Sequence, residues 1–584
     1  MCEAFQATAE RYADQVAIRS VDGAQELTFA DYADRVRRIA AGLASIGVER
    51  GDTVALMMSN RPEFNLCDTA AVHLGATPFS VYSTSSPEQI TEILSNAEPR
   101  VTIAEPQFLS RIEAARERGA PTGEVVWVEG SADGAIGLDQ LEQSGDPGFD
   151  FDAAWRAVEP DDVLTLIYTS GTTGPPKGVE LTHANMLAEC YAVAAVVPIE
   201  AGTRITSFLP SAHIADRWSS HYNQMIFGVE ITTVPDPRAI AAALPSVRPT
   251  LWGGVPRVLE KLKTALEAAI AADPDEQRRA AILKAIDVGL QKVRLEAAGE
   301  PVPGELAQAH EALDANVLSV LRERIGLDQV ECLISGAAPL ARDVQEFLLA
   351  LGLPVAELYG MSECSCVATL CSPSESRVGY VGKPLPGVEV KVAPDGELLV
   401  RGEIVMRGYR GQPEKTAEAL DPEGWLRTGD IGEIDDEGYV RVVDRKKELI
   451  INAAGKNMSP ANIEGALKSA SPLIGQADCI GDERPYNVAL LVLDPDAAGA
   501  FAAANGLSDA SVEAVAADER AQAAIAEAVE RANERLSRVE QIKRYRILHE
   551  EWQPGGDELT PTMKLRRKPI LEKYASVIEE LYAD

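Results

Sequence analysis

A chain of 584 residues and 62.5 kDa outgrows a single hydrophobic core, which usually stops growing near ~250 to 300 residues, so two or more domains are expected. Its 46% hydrophobic and 25% charged residues belong to an ordinary globular enzyme and exclude a disordered or fibrous chain. With 55 Lys and Arg against 90 Asp and Glu, the formal charge of −35 repels a phosphate backbone and excludes general nucleic-acid binding. An anionic ligand would need a local cluster of cations and backbone donors.

The N-terminal stretch lacks a basic start followed by an apolar core, and eight cysteines are too few for a disulfide framework in so long a chain. A reducing, cytoplasmic setting is expected. Cys364, Cys366 and Cys371 lie close in sequence, but no nearby His or further Cys pair completes the four ligands that zinc favours, so free thiols are expected. No apolar run approaches the ~20 residues that span a bilayer, which leaves only peripheral membrane contact open.

Along the chain, short β-rich runs at 101–106, 124–129, 163–170, 330–335 and 354–360 are separated by Ala-rich stretches with helical spacing. This predicts an α/β fold of layered sheets and helices. Residues 119–160 are rich in Gly, Asp and Pro and read as exposed connections leading into the next strand. From about 257 to 325 the apolar positions recur at three-and-four spacing, which predicts a helical excursion. From about 437 short strands return, followed by a helix with Ser459 as N-cap and Pro460 at its first position, and a smaller C-terminal α+β domain is expected.

The strongest chemical signal runs from Tyr168 to Gly178, between two strand-like runs. Ser170, Thr172 and Thr173 carry hydroxyls, Gly171 and Gly174 free the backbone, and Lys177 adds a cation, a set suited to holding a polyphosphate. The spacing of a Walker A loop is absent, so a P-loop ATPase is disfavoured. Downstream, small residues at Gly336, Ala337 and Ala338 would let a flat purine lie against the backbone. Glu357, Leu358, Tyr359, Gly360, Met361, Ser362 and Glu363 gather an aromatic, a hydroxyl and carboxylates after a strand, which suits adenine packing, phosphate contact and a magnesium ligand. Asp430 ends a turn-like Thr-Gly-Asp and has the shape to accept from both ribose hydroxyls. By residue type alone these segments also read as ordinary turns or solvated charge runs.

The Tyr168–Gly178 loop, with Ser335–Leu340, Glu357–Glu363, Gly424–Asp430, Asp444–Lys447, Gly455–Asn457 and Pro561–Lys564 in the same order, resembles the adenylate-forming superfamily of acyl-CoA synthetases, luciferases and peptide-synthetase adenylation domains. The likeness covers most of the chain from position 168 onward. It implies an N-terminal adenylation and acyl-binding domain over 1–444 and a mobile C-terminal domain over 445–584. ATP, Mg2+ and coenzyme A are the implied cofactors. Thr169 to Gly174 with Lys177 would secure the pyrophosphate end, Glu363 would hold magnesium, and Arg445 would meet ribose or phosphate. Lys564 would be the cation where the carboxylate meets the α-phosphate. Lys447 matches the hinge, and Gly455, Lys456 and Asn457 match the loop that serves coenzyme A.

Residues 208–217 and 254–261 resemble the long-chain fatty acyl-CoA synthetase branch, which implies a fatty acid substrate and release of AMP and pyrophosphate. His213 would lie at the carboxylate end of the acyl pocket, with Trp218, Trp252, Gly253 and Gly254 as lining or gate; core packing is the commoner fate of Trp. Ser211 and Asp216 depart from that branch, where Leu and Glu are expected. A medium-chain or aryl-acid CoA ligase, an acyl-AMP ligase that loads a carrier protein, and a catalytically silent scaffold are the alternatives.

Overall fold

A computed structural model describes residues 1–129, 136–169, 176–451, 457–560 and 563–583. The chain divides into two units: 1–393 with 398–428 and 434–441, and 394–397 with 429–433 and 442–584.

The larger unit is layered α/β. In its eight-stranded sheet, Thr53–Met57, Thr77–Ser80, Val101–Ala104, Glu124–Trp127 and Val163–Thr169 run parallel, and Lys177–Thr182 and Gly408–Tyr409 close one edge antiparallel. The parallel strands read as near-continuous apolar runs because helices cover them. Ala55, Met57, Phe79 and Trp127 pack against Ile90, Ile93 and Leu94 of helix Pro87–Ala97 and Ile112 of helix Leu109–Glu117. A second sheet sets Leu251–Gly254, Cys332–Ser335 and Val355–Tyr359 in parallel, followed by two short antiparallel strands.

The helical excursion forms as expected, with helices Pro256–Ala271, Glu276–Ala297, Gly304–Leu313 and Ser319–Arg324. Leu259, Leu262, Leu266 and Ile270 recur on one face and pack over this second sheet with Leu333 and Val355. The stretch 119–160 differs from its reading as exposed connections. It holds short helices Leu138–Gln143 and Phe151–Arg156, whose Leu138, Leu141 and Phe151 are buried. Three apolar anchors in so polar a segment give no visible period.

In the smaller unit, Ile474–Ile480 and Ile542–Leu548 flank Asn487–Leu493, antiparallel and parallel respectively. From Val488 onward that central strand is apolar, and both its faces are covered. Ala489, Leu491 and Leu493 point into one cluster with the helices Pro460–Ala470 and Glu519–Arg535. Val488, Leu490 and Val492 point into another with Ile570, Tyr574 and Ile578. The side-chain alternation of a strand thus serves two cores. Ser459 caps its helix as predicted, accepting from Asn462 N at 3.1 Å and donating to Asp444 Oδ2 at 2.5 Å.

Candidate active site

The glycine-rich loop leaves and re-enters the eight-stranded sheet through an antiparallel pair in which Thr169 faces Lys177 and Tyr168 faces Gly178. Both ends are clamped. Tyr168 donates its hydroxyl to Asn96 Oδ1 at 2.9 Å, Asn96 Nδ2 donates to Arg410 O at 3.2 Å, and Arg410 N donates to Gly178 O at 2.8 Å. A Cβ on Gly178 would lie 3.1 Å from both Asn96 Oδ1 and the Tyr168 ring, so glycine suits the tight spot. Ser170, Gly171, Thr172, Thr173 and Gly174 lie outside the described residues.

Strand Gly408–Tyr409 pairs with the strand leaving this loop, Tyr409 opposite Val179. The Lys177 ammonium sits 4.6 Å from the centre of the Tyr409 ring. The Tyr409 hydroxyl donates to Glu363 Oε1 at 2.8 Å, and the Glu363 side chain is buried. Glu363 stands on a short 3-10 turn, Ser362–Cys364, which is fixed by Met406 N donating to Glu363 O at 2.8 Å and Ser365 Oγ donating to Ile404 O at 2.7 Å. Ser365 and Cys366 follow with φ of 60° and 124°.

At the carboxyl ends of the second sheet's parallel strands, Ser335 faces Glu357. The Ser335 hydroxyl and Glu357 Oε1 are both buried without a protein partner. Glu357 Oε2 accepts from Leu340 N at 3.3 Å, yet burial pushes its carboxyl up to about 7. Gly336 needs its missing side chain, since a Cβ there would come 2.4 Å from Leu358 Cδ1. Ala337 takes a φ of 72°, and with Ala338 it is exposed beside the two orphaned polar atoms. Unpaired buried polar atoms at strand ends are what a hydrogen-bonding ligand would satisfy.

The segment 208–217 is anchored by charge. The fully buried Arg217 pairs with Asp68 at 2.6 Å and donates to Tyr222 Oη, Ser80 Oγ and Ser211 O. His221 Nε2 donates to Asp68 Oδ1 at 2.9 Å. Burial pushes the Asp68 carboxyl up, but Arg217 and His221 prevail and hold it below its ordinary value. Arg217 to Tyr222 form a π-helical turn, a departure often met near functional sites. His213 is half-buried and accepts from Ala215 N at 3.1 Å as the cap of a short helix. Trp252 stacks on Phe208 at 6.5 Å within the hydrophobic core. Trp218 is also buried, and among the described residues neither indole N–H meets an acceptor. A Cβ on Gly254 would come 3.5 Å from the Phe208 ring, and one on Gly253 would collide with Ile334 O at 2.4 Å.

In the smaller unit, the buried Asp430 lies 3.1 Å from Arg445 Nε. Neighbouring Lys446 pairs with Asp395 and Glu397, and Glu397 Oε1 accepts from Gly429 N at 2.9 Å. Lys447 is exposed in the turn that follows. Lys564 is exposed at the end of a turn in which Thr560 N donates to Lys564 O and Lys564 N to Thr560 Oγ1. Nearby Arg567 is tied to Glu464, Asp478 and Glu448. Gly455 and Lys456, and the side chain of Asn457, lie outside the description.

The sequence model of AMP-binding enzymes matches residues 5–410, and that of the AMP-binding enzyme C-terminal domain matches 447–584. The chain belongs to the AMP-binding enzyme family. Among the family's curated members, fadD11 of Mycobacterium tuberculosis, named as a fatty-acid--CoA ligase, is 56% identical over 77% of this chain and 79% of its own length. The long-chain-fatty-acid--CoA ligase FadD15 of the same organism is 37% identical over 97% of this chain and 94% of its own. Among solved structures, the anthranilate CoA ligase AuaEII in complex with anthranoyl-AMP superposes with a TM-score of 0.73 at 18% identity, covering 98% of this chain and 96% of that one. This family fold brings Lys177 and Glu363 to one residue that the sequence did not single out, Tyr409. The only sequence trace of it is the Gly-Tyr-Arg at 408–410. Asn96, Asp68 and His221 were equally silent, since each acts on partners far along the chain.

Proposed function

We propose that the chain is an AMP-forming long-chain fatty acid–CoA ligase, which activates the acid with ATP to an acyl-adenylate and passes the acyl group to coenzyme A. One observation carries the nucleotide half of the reading. Among the described residues, the Ser335 hydroxyl and a Glu357 oxygen stand buried and without a partner at facing positions of two parallel strands, where a purine edge with donors and acceptors would satisfy them. The relatives named as fatty-acid--CoA ligases support the acyl half.

Both reactants of the first step are anions, so cations and aimed donors must screen them while a carboxylate oxygen attacks the α-phosphorus and pyrophosphate leaves. Lys177 serves the pyrophosphate end and Lys564 the α-phosphate, with Asp430 holding the ribose. In the second step the coenzyme A sulfur attacks the acyl carbonyl and AMP departs. Among the described residues no group of three or more His, Cys, Asp or Glu could hold a metal ion. Glu363 as a lone carboxylate suits Mg2+ that arrives bound to the nucleotide's phosphates and neutralises their charge. His213, Trp218 and Trp252 belong to the acyl side of the site. All eight cysteines are free and buried, which supports a reducing cytoplasmic setting. Among the described residues no helix is long and apolar enough to cross a membrane, and the proposal confines membrane contact to the periphery.

The test is a panel of acids of increasing length, with medium-chain and aryl acids included, assayed for AMP formation with and without coenzyme A. Long acids should be preferred and acyl-CoA should require the thiol. Preference for aryl acids, or transfer only to a carrier protein, would overturn the assignment.

A further inference from the structure

Lys177 and Glu363 carry opposite charges and share one neighbour, yet no direct ion pair joins them among the described residues. Tyr409 stands between them. Its ring face takes the ammonium and its hydroxyl takes the carboxylate, a division that an aromatic with a polar tip is built to make. The tyrosine is itself held on two sides: Thr416 Oγ1 accepts from its backbone N–H at 2.9 Å, and its backbone pairs with Val179 in the strand that also carries Lys177. Gly408 before it has a φ of 156°, and a Cβ there would strike Thr416 Cγ2 at 2.8 Å. The spacer is therefore held against the strand that carries Lys177.

We propose that Tyr409 is a positioning residue that keeps Lys177 and Glu363 from neutralising one another, so that the cation is offered to the polyphosphate and the carboxylate to its magnesium. The proposal rests on the assignment of these two residues to the phosphate site. Removal of the hydroxyl alone should loosen Glu363 and spare Lys177. Removal of the ring should free the lysine to pair with the glutamate and mask both.

Full-length Tyr409→Phe and Tyr409→Leu are compared with the parent by calorimetric binding of ATP, without acid or coenzyme A, with and without MgCl2. The phenylalanine variant should bind metal-free ATP as the parent does and lose about tenfold of the gain that Mg2+ confers, the scale of one hydrogen bond to a charged group. The leucine variant should lose affinity under both conditions. A phenylalanine variant that keeps the whole Mg2+ gain, or loses affinity equally with and without Mg2+, overturns the proposal. Glu363→Gln and Lys177→Ala separate the two levels of failure. If these lower the Mg2+ gain and the ATP affinity respectively while both Tyr409 variants behave as the parent, only the role of Tyr409 falls. If neither has an effect, the phosphate-site assignment falls and takes the proposal with it.

Discussion

A single charge decides most at Lys564, which stands exposed at a turn end held by Thr560. On the proposed function its role would be to balance charge where the carboxylate approaches the α-phosphorus, an interaction strongest in the transition state. Lys564→Ala should therefore cut acid-dependent pyrophosphate exchange by orders of magnitude while ATP binding changes little. Thioester formation from supplied acyl-adenylate should survive. Near-parental exchange would remove Lys564 from the reaction. Asp216 makes a different prediction. It is fully buried, takes hydrogen bonds from Ser207 Oγ at 3.1 Å and Asn60 Nδ2 at 3.4 Å, and burial raises its carboxyl from 3.8 to about 7 against the pull of the Ser207 bond and of Arg217. The guanidinium of Arg217 is committed to Asp68. A group raised on folding takes up protons as the chain folds. Its contribution is full below the unfolded value, shrinks as pH rises toward the folded one and is lost above it. Asp216→Asn should accordingly flatten the fall in unfolding temperature between about pH 4 and pH 7. An unchanged slope in thermal melts across that range would show that Asp216 does not titrate there.

Among the elements, the turn bearing Glu363 is tightly constrained, and the glycine just before it shows why. A Cβ on Gly360 would lie 2.0 Å from Cys366 O and 2.9 Å from Val367 Cα, both backbone atoms, while Val367 N is held by the buried Glu189 at 2.7 Å. Gly360→Ala should cost about 1 to 3 kcal/mol, as overpacking does, and weaken Mg2+-dependent ATP binding with it. Gly499, within helix Pro495–Asn505, has nothing within 4 Å of such a Cβ, so Gly499→Ala should stabilise by about 0.5 to 1 kcal/mol. Thermal melts of the pair should move in opposite directions; a shift of both the same way would mean that the Gly360 contacts are not as drawn. The contrast marks what a sequence can reveal. Ser459 and Pro460 announce their helix because capping is local, and the excursion after Pro256 is legible because its apolar period is long. Glu363 is legible as a carboxylate in a motif. The tyrosine that holds it is not, because Tyr409 reaches it through a sheet register that no local pattern encodes.

The division of the whole chain carries the same lesson. The change of pattern near 437 suggested a smaller C-terminal domain, and the family resemblance set the expected border at 444/445. The structure groups 394–397 and 429–433 with 442–584, through Gly432 N donating to Gly396 O and Lys446 Nζ pairing with Glu397. Returning strands brought these segments together, and composition does not register them. Lys447 follows this cluster in an exposed turn closed by Glu448 N and Leu449 N, both donating to Arg445 O. If the proposed function holds, with Lys564 serving the first half-reaction and the coenzyme A thiol the second, a hinge at Lys447 would let the site be rebuilt between them. A proline there fixes φ at its own position and, as the third residue of the turn Arg445–Glu448, pushes Lys446 before it away from the helical region, so some stability is lost with the hinge. In the fraction that stays folded, Lys447→Pro should split the activities. With the adenylating arrangement trapped, acyl-AMP would accumulate while acyl-CoA formation falls at least about tenfold, a separation that partial unfolding would not produce. Single-turnover measurement of each half-reaction, beside a thermal melt, decides it: a stably folded variant that keeps both activities, or loses both in equal measure, leaves Lys447 as one more solvated charge.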